Sequence, residues 1–141
     1  GNTKKMSKKM VMDNIIEEYK LPGEQLVCFG DGPVELREVK KKGGMPVGIA
    51  SDEVRRFGFN NAKLERLIKA GADIIMLDNM SLETMRQAVK VINGRAKIEA
   101  SGNITLNNVR AIVESGVDFI SIGALTHSVK AFDFSLEMSP V

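Results

Sequence analysis

The spacing of apolar residues changes period repeatedly along the chain, and each change marks an element. Residues 7–20, SKKMVMDNIIEEYK, carry Met12, Ile15, Ile16 and Tyr19 at helical spacing, and Leu21-Pro22-Gly23 stops the run. QLVCFG, ending at Gly30, is a short unbroken apolar run of the kind that forms a parallel strand buried on both faces. Pro33 opens a helix over 33–42 at the position where a missing N–H costs nothing, and Gly43-Gly44 closes it. MPVGIA (45–50) predicts a second strand, and residues 61–71 place Leu64, Leu67 and Ile68 on one helical face with Gly71 as the stop. The alternation then repeats as strand DIIMLD, helix SLETMRQAVKVING, strand AKIEAS, helix TLNNVRAIVESG and strand DFISIG. Ser81 and Thr105 stand where helix N-caps belong, and SVKAFDFSLEM (128–138) predicts one more short helix.

Strands that alternate with helices predict an α/β fold: a single five-stranded parallel sheet, strands added in sequence order, with flanking helices. Right-handed crossovers then put the intervening helices on one face. The other face needs a cover, which the first helix, the tail or a second copy could supply. A homodimer is expected, because an uncovered apolar face is adhesive. Such a sheet is either open, as in flavodoxin-like folds, or curled into a half barrel. No low-complexity segment or linker divides the chain, so its 141 residues are expected to form one domain. SDEVRRFGFNN (51–61) is the longest irregular stretch.

Composition narrows the function classes. Hydrophobic residues at 43% and charged residues at 27% suit a globular chain, and a net charge of +2 is too small to argue for nucleic acid or membrane partners. The basic excess gathers at Lys4, Lys5, Lys8 and Lys9, as at a solvated helix start. Trp is absent and aromatics make up 5%, which removes the stacking platforms of single-strand binders. Cys28 is the one cysteine, so there is neither an internal disulfide nor a thiolate cluster; inside its apolar run it reads as a small core residue. No apolar run reaches the ~18 residues of a membrane span and no signal peptide is visible, so a cytoplasmic setting is expected. Gly1-Asn2, without Met, reads as the remnant of a cleaved tag.

AGADIIMLDNMSLE, KIEASGNITLNNV, ESGVDFISIGALTHS and KAFDFSLEM, from about residue 71 to 138, resemble the C-terminal part of the quinolinate phosphoribosyltransferase family, also called nicotinate-nucleotide pyrophosphorylase. The resemblance implies the last strands of a (β/α)-barrel, where phosphate sites lie on the loops after the final strands. The residues agree with this independently. SGN (101–103) and GALTH (123–127) follow strands and are small enough for backbone amides to approach an anion. By resemblance, Ser101, Gly102, Asn103, Gly123, Ala124 and His127 would hold the 5-phosphate of a ribose. Asp78 and Glu99 would face ribose hydroxyls or Mg²⁺. Asn103 stands where relatives often have a second glycine, and Asn tolerates left-handed angles. Read without the family, His127 is a surface or capping residue, and the two acids cap or pair. The pyridine-dicarboxylate residues of that family's N-terminal domain and early strands have no counterpart in this sequence.

Residues 7–75, with FGDGPVE (29–35) at their centre, resemble the C-terminal part of a haloacid-dehalogenase-like hydrolase. That implies Asp31 and Glu35 at a Mg²⁺ site, with Lys8 or Lys9 as the basic residue. The superfamily's D-x-D nucleophile motif occurs nowhere in the chain, so no aspartyl-phosphate can form. Asp31 and Glu35 then read as solvated loop-end carboxylates. The two resemblances meet in RLIKAGADII (66–75), at home in either family, which predicts a chimera joined there, engineered or natural. The expected function is an α/β scaffold with no complete active site and no required cofactor, keeping a site for phosphate or a sugar phosphate. The alternatives are a phosphate-handling enzyme completed by a dimer partner or missing chain, and an interaction module working through the uncovered sheet face.

Overall fold

The structure, a computed structural model, describes residues 7–51 and 58–137. Lys4, Lys5 and most of the 51–61 loop lie outside the described residues. Five strands form one parallel sheet in chain order: β1 (Val27–Gly30), β2 (Met45–Ile49), β3 (Ile74–Asp78), β4 (Lys97–Ser101) and β5 (Phe119–Ser121). Helices α1 (Lys8–Tyr19), α2 (Pro33–Lys41), α3 (Asn61–Lys69), α4 (Leu82–Ile92), α5 (Val109–Val113) and α6 (Ala124–His127) alternate with the strands. The α/β reading with strands added in sequence holds.

The two faces of the sheet differ sharply. Gly48, Ile75, Leu77, Ile98 and Ala100 share the face under the helices, where Leu36, Leu64, Leu67, Met85 and Ile92 bury them. Gly48 lets α3 sit close: a Cβ there would lie 3.3 Å from Leu67 Cβ and 3.2 Å from Ile75 Cδ1. On the opposite face Val47 is buried, but Val27, Phe29, Met45 and Phe119 are exposed, Phe29 by 58%. One-sided crossovers produce this asymmetry, because every βαβ unit turns the same way.

The first helix does not cover that face. Helix α1 packs on α2, tied by ion pairs from Lys42 to Asp13 and from Lys8 to Glu35, and none of its residues is buried. A groove of about 460 Å³ runs between it and β1, lined by Val11, Ile15, Val27 and Phe29 among others. The described part of the tail, residues 128–137, does not cover the face either. Residues 128–137 form no helix, contrary to expectation, and Phe132 and Phe134 stand exposed with rings 5.5 Å apart. Phe132, Phe134 and Leu136 recur at a period of two, which gives a helix no single face to bury.

The caps divide. Ser81 Oγ accepts from Thr84 N at 3.2 Å, as an N-cap should. Thr105 is not a helix cap: α5 begins at Val109, and the Asn108 side chain reaches back to accept from Thr105 N at 2.8 Å. That bond, with Val109 N donating to Thr105 O at 2.9 Å, holds residues 105–108 as a turn leading into the helix.

Candidate functional site

Parallel register brings the C-terminal half of the sheet into rows. Asp78 pairs with Ser101 and Ser101 with Ser121, while Met76, Glu99 and Phe119 form the row before. Side chains alternate with period two, so Asp78, Glu99, Ser101 and Ser121 all stand on the uncovered face. Ser121 Oγ donates to Glu99 Oε1, and Asp78 Oδ2 accepts from Asn79 Nδ2 at 3.0 Å. Two carboxylates and two hydroxyls on three adjacent strand ends suit a polyol, whose hydroxyls can both donate and accept. Among the described residues no group of three or more His, Cys, Asp or Glu side chains is placed to hold a metal ion. A Mg²⁺ at Asp78 and Glu99 would therefore draw most of its ligands from water or substrate.

Above this row, two loops leave neighbouring strands at the same edge. After β4, Gly102 takes φ +84° and Asn103 φ +53°, so Asn103 occupies the left-handed region expected of it. After β5, Gly123 caps the four-residue helix α6, and His127 N donates to Gly123 O at 3.0 Å. The imidazole lies over Gly123, where a Cβ would come 2.9 Å from Nε2, and Nδ1 lies 2.7 Å from Ser128 Oγ. Ser101, Gly102, Asn103, Gly123, Ala124 and His127 thus fall into two adjoining loops on strands paired at Ser101 and Ser121.

The front of the chain is built differently. Glu35 is only 7% exposed at the start of α2, where its carboxylate reaches back to accept from the N-cap Gly32 N at 3.2 Å and accepts from Lys8 Nζ at 2.9 Å. Burial pushes its carboxyl up, but the Lys8 contact and the backbone N–H bonds outweigh that and hold it below the ordinary range. Asp31 is exposed on the preceding turn. Of the two lysines named from sequence, Lys8 is the one that meets Glu35. The Cys28 thiol is half-buried beside them, and burial raises its pKa.

The sequence did not single out Asn79 or Ser121. Asn79 has φ +52° just past β3. The only advance sign was its residue type, since Asn is the side chain that most readily accepts that angle.

The family model described as "Quinolinate phosphoribosyl transferase, C-terminal domain" matches residues 57–137. A probable nicotinate-nucleotide pyrophosphorylase of Bacillus subtilis is 46% identical over 77 residues, which is 55% of this chain and 27% of that protein. The chloroplastic enzyme of Arabidopsis thaliana is 53% identical over 73 residues, 45% of this chain and 21% of that one. The chain thus spans about a quarter of the length of these curated relatives. Among solved structures, NadC from Streptococcus pyogenes superposes with a TM-score of 0.56 at 31% identity, covering 80% of this chain and 40% of its own. A NadC deletion mutant gives 0.60 at 32%, covering 78% of this chain and 39% of that one. The backbone likeness therefore extends ahead of residue 57, and none of these matches supports a hydrolase-like front half or a junction between two families. With more than half of its residues inside the family model, the chain belongs to the quinolinate phosphoribosyl transferase family through its C-terminal domain.

Proposed function

We propose that this chain binds a sugar phosphate of the phosphoribosyl type and does not by itself carry a complete transferase site. The phosphate would sit against Ser101–Asn103 and Gly123–His127, with the sugar hydroxyls toward Asp78 and Glu99. The observation that carries the reading is the pairing of Ser101 with Ser121, which sets the two small-residue loops side by side above the acidic row. Names of relatives support the class of ligand, since several are phosphoribosyltransferases. A Mg²⁺ bound there would supply charge neutralisation for the phosphate, while Asp78 and Glu99 orient the hydroxyls.

Phosphatase chemistry is not part of the proposal, because Glu35 is committed to Lys8 and to the Gly32 N–H. A joined or engineered origin has only the sequence resemblance of residues 7–75 behind it. A second reading, an active enzyme completed by another copy or a missing segment, is favoured by the exposed apolar face at Val27, Phe29 and Phe119.

The test is a thermal melt with ribose 5-phosphate or inorganic phosphate at millimolar concentration. A ligand at ~100 times its dissociation constant adds ~2.7 kcal/mol, several degrees in a chain of this size. The shift should vanish in His127→Ala. A cooperative melt that ignores both ligands refutes the proposal. Turnover of a phosphoribosyl donor with quinolinate, lost in Glu99→Ala, would establish the second reading instead.

A further inference from the structure

Beyond the residues of the proposed site, one side chain touches three of its parts. Asn79 follows the last residue of β3, and its N–H donates to Ser101 O at 2.9 Å, so the β3–β4 ladder runs one step past the strand. At φ +52° the chain turns out of the strand, and the side chain reaches across the neighbouring loop. There Oδ1 accepts from Asn103 Nδ2 at 3.0 Å, and Nδ2 donates to Asp78 Oδ2 at 3.0 Å. Gly102 lies hard against the same amide: a Cβ on it would come 2.2 Å from Asn79 Oδ1. The Asn103 carbonyl in turn accepts from Asn108 Nδ2 at 3.0 Å, which fastens the far end of the loop.

The amide orientation follows from chemistry. An ionised Asp78 carboxylate only accepts, so the NH₂ end of Asn79 must face it. The oxygen is then left for the donor of Asn103. A side chain here needs one donor and one acceptor at short reach and must tolerate the left-handed region. Asp lacks the donor and would set a second negative charge beside Asp78. Ser has a single short hydroxyl, and Gln is longer and less at ease at positive φ.

We propose that Asn79 is a positioning residue: by joining Asp78 to Gly102 and Asn103, it fixes the phosphate loop against the sugar-facing acid. This rests on the proposed function, since it assigns no ligand of its own. The bonds are few, but they lie in one network where loss of one member loosens the others. The expected consequence is that loop and carboxylate lose their common frame when the amide is removed, while the buried core beneath keeps the fold.

Titration with ribose 5-phosphate, followed by calorimetry and by backbone amide NMR, tests this in the full chain. Asn79→Ala should weaken binding by about tenfold, as a lost hydrogen-bond clasp would. Asn103→Gly keeps the left-handed backbone, whose N–H groups are the part of the loop assigned to the phosphate, and deletes the side-chain donor to Asn79, so it should weaken binding to a similar extent. The double variant should be no weaker than either single one, because both remove the same clasp. Additive losses, or wild-type affinity in Asn79→Ala, overturn the proposal. If the unsubstituted chain binds no ribose 5-phosphate, the functional reading fails separately. Asn79 is then judged on the ligand-free spectra, where Asn79→Ala must shift the Gly102 and Asn103 amides, and unmoved amides overturn it.

Discussion

Leu67 offers the sharpest check on how the helical layer seats on the sheet that carries the site. Its side chain is fully buried and rests on Gly48 of β2, next to Ile75 of β3. Replacing it with Ala removes three carbon groups at ~0.8 kcal/mol each, and incomplete collapse of the cavity raises the total to about 3–5 kcal/mol. For a chain of 141 residues that corresponds to a fall of roughly 10–15 °C in melting temperature. Gly48→Ala makes the opposite error. Its new Cβ would lie 3.2 Å from Ile75 Cδ1 and 3.3 Å from both Leu67 Cβ and Cδ1, so overpacking should cost about 1–3 kcal/mol. Because Leu67→Ala deletes one of those crowding atoms and opens space, Gly48→Ala should be about 1 kcal/mol milder in that background. Urea unfolding of the four proteins, with m-values compared, measures the coupling. Equal cost of Gly48→Ala in both backgrounds, or a Leu67→Ala cost below 1 kcal/mol, would show that α3 does not rest on Gly48 in solution.

Two further outcomes are expected. Phe29 is 58% exposed whereas Leu36, on the helical side, is 0% exposed, so Phe29→Ser should cost under ~1 kcal/mol and Leu36→Ala about 2–5 kcal/mol by chemical denaturation. Comparable costs would mean that the outer face is covered in solution, and sedimentation would then report whether a second copy covers it. Glu35 has a folded-state pKa below its unfolded value, so the stability it contributes is complete above about pH 4.3 and drains away as pH falls through the lower folded value. Glu35→Gln should therefore be less stable than the parent at pH 7 and show a flatter loss between about pH 5 and pH 3. An unchanged slope would refute the Lys8–Glu35 pairing.

The residues of the candidate site were readable where their type matched a backbone demand. SGN and GALTH marked themselves as small, strand-terminal loops, and Asp78 and Glu99 as acids on strand ends, all on the β3 to β5 side. Asn79 was not readable in this way. Its role depends on Asn103 and Gly102 lying across a strand boundary, 24 residues along the chain in the case of Asn103. Glu35 misled for the same reason. The sequence left it a solvated loop-end carboxylate, yet it is buried and bonded to the Gly32 N–H at the start of its own helix and to Lys8, 27 residues earlier. Spacing conveys which groups share a segment, and only folding decides which of them meet.

The alternation of short apolar runs with helix-period segments determined the parallel sheet and its helices, although the expected burial of QLVCFG on both faces fails, since Val27 and Phe29 of β1 are exposed. Given strands added in sequence order, crossover handedness put the helices on one face and left Phe29 and Phe119 exposed on the other. The tertiary structure decided what local pattern could not. Helix α1 packs on α2 instead of the open face, with the Lys42–Asp13 and Lys8–Glu35 pairs across the contact. Residues 128–137 formed no helix, since Phe132 and Phe134 alternate with a period of two and no other element buries them. Helix α5 began only at Val109, where the Asn108 side chain had tied its own approach into a turn. Periodicity is a one-dimensional record of burial and so survives in the sequence, while ion pairs and side-chain clasps join distant segments and exist only once the chain has brought them together.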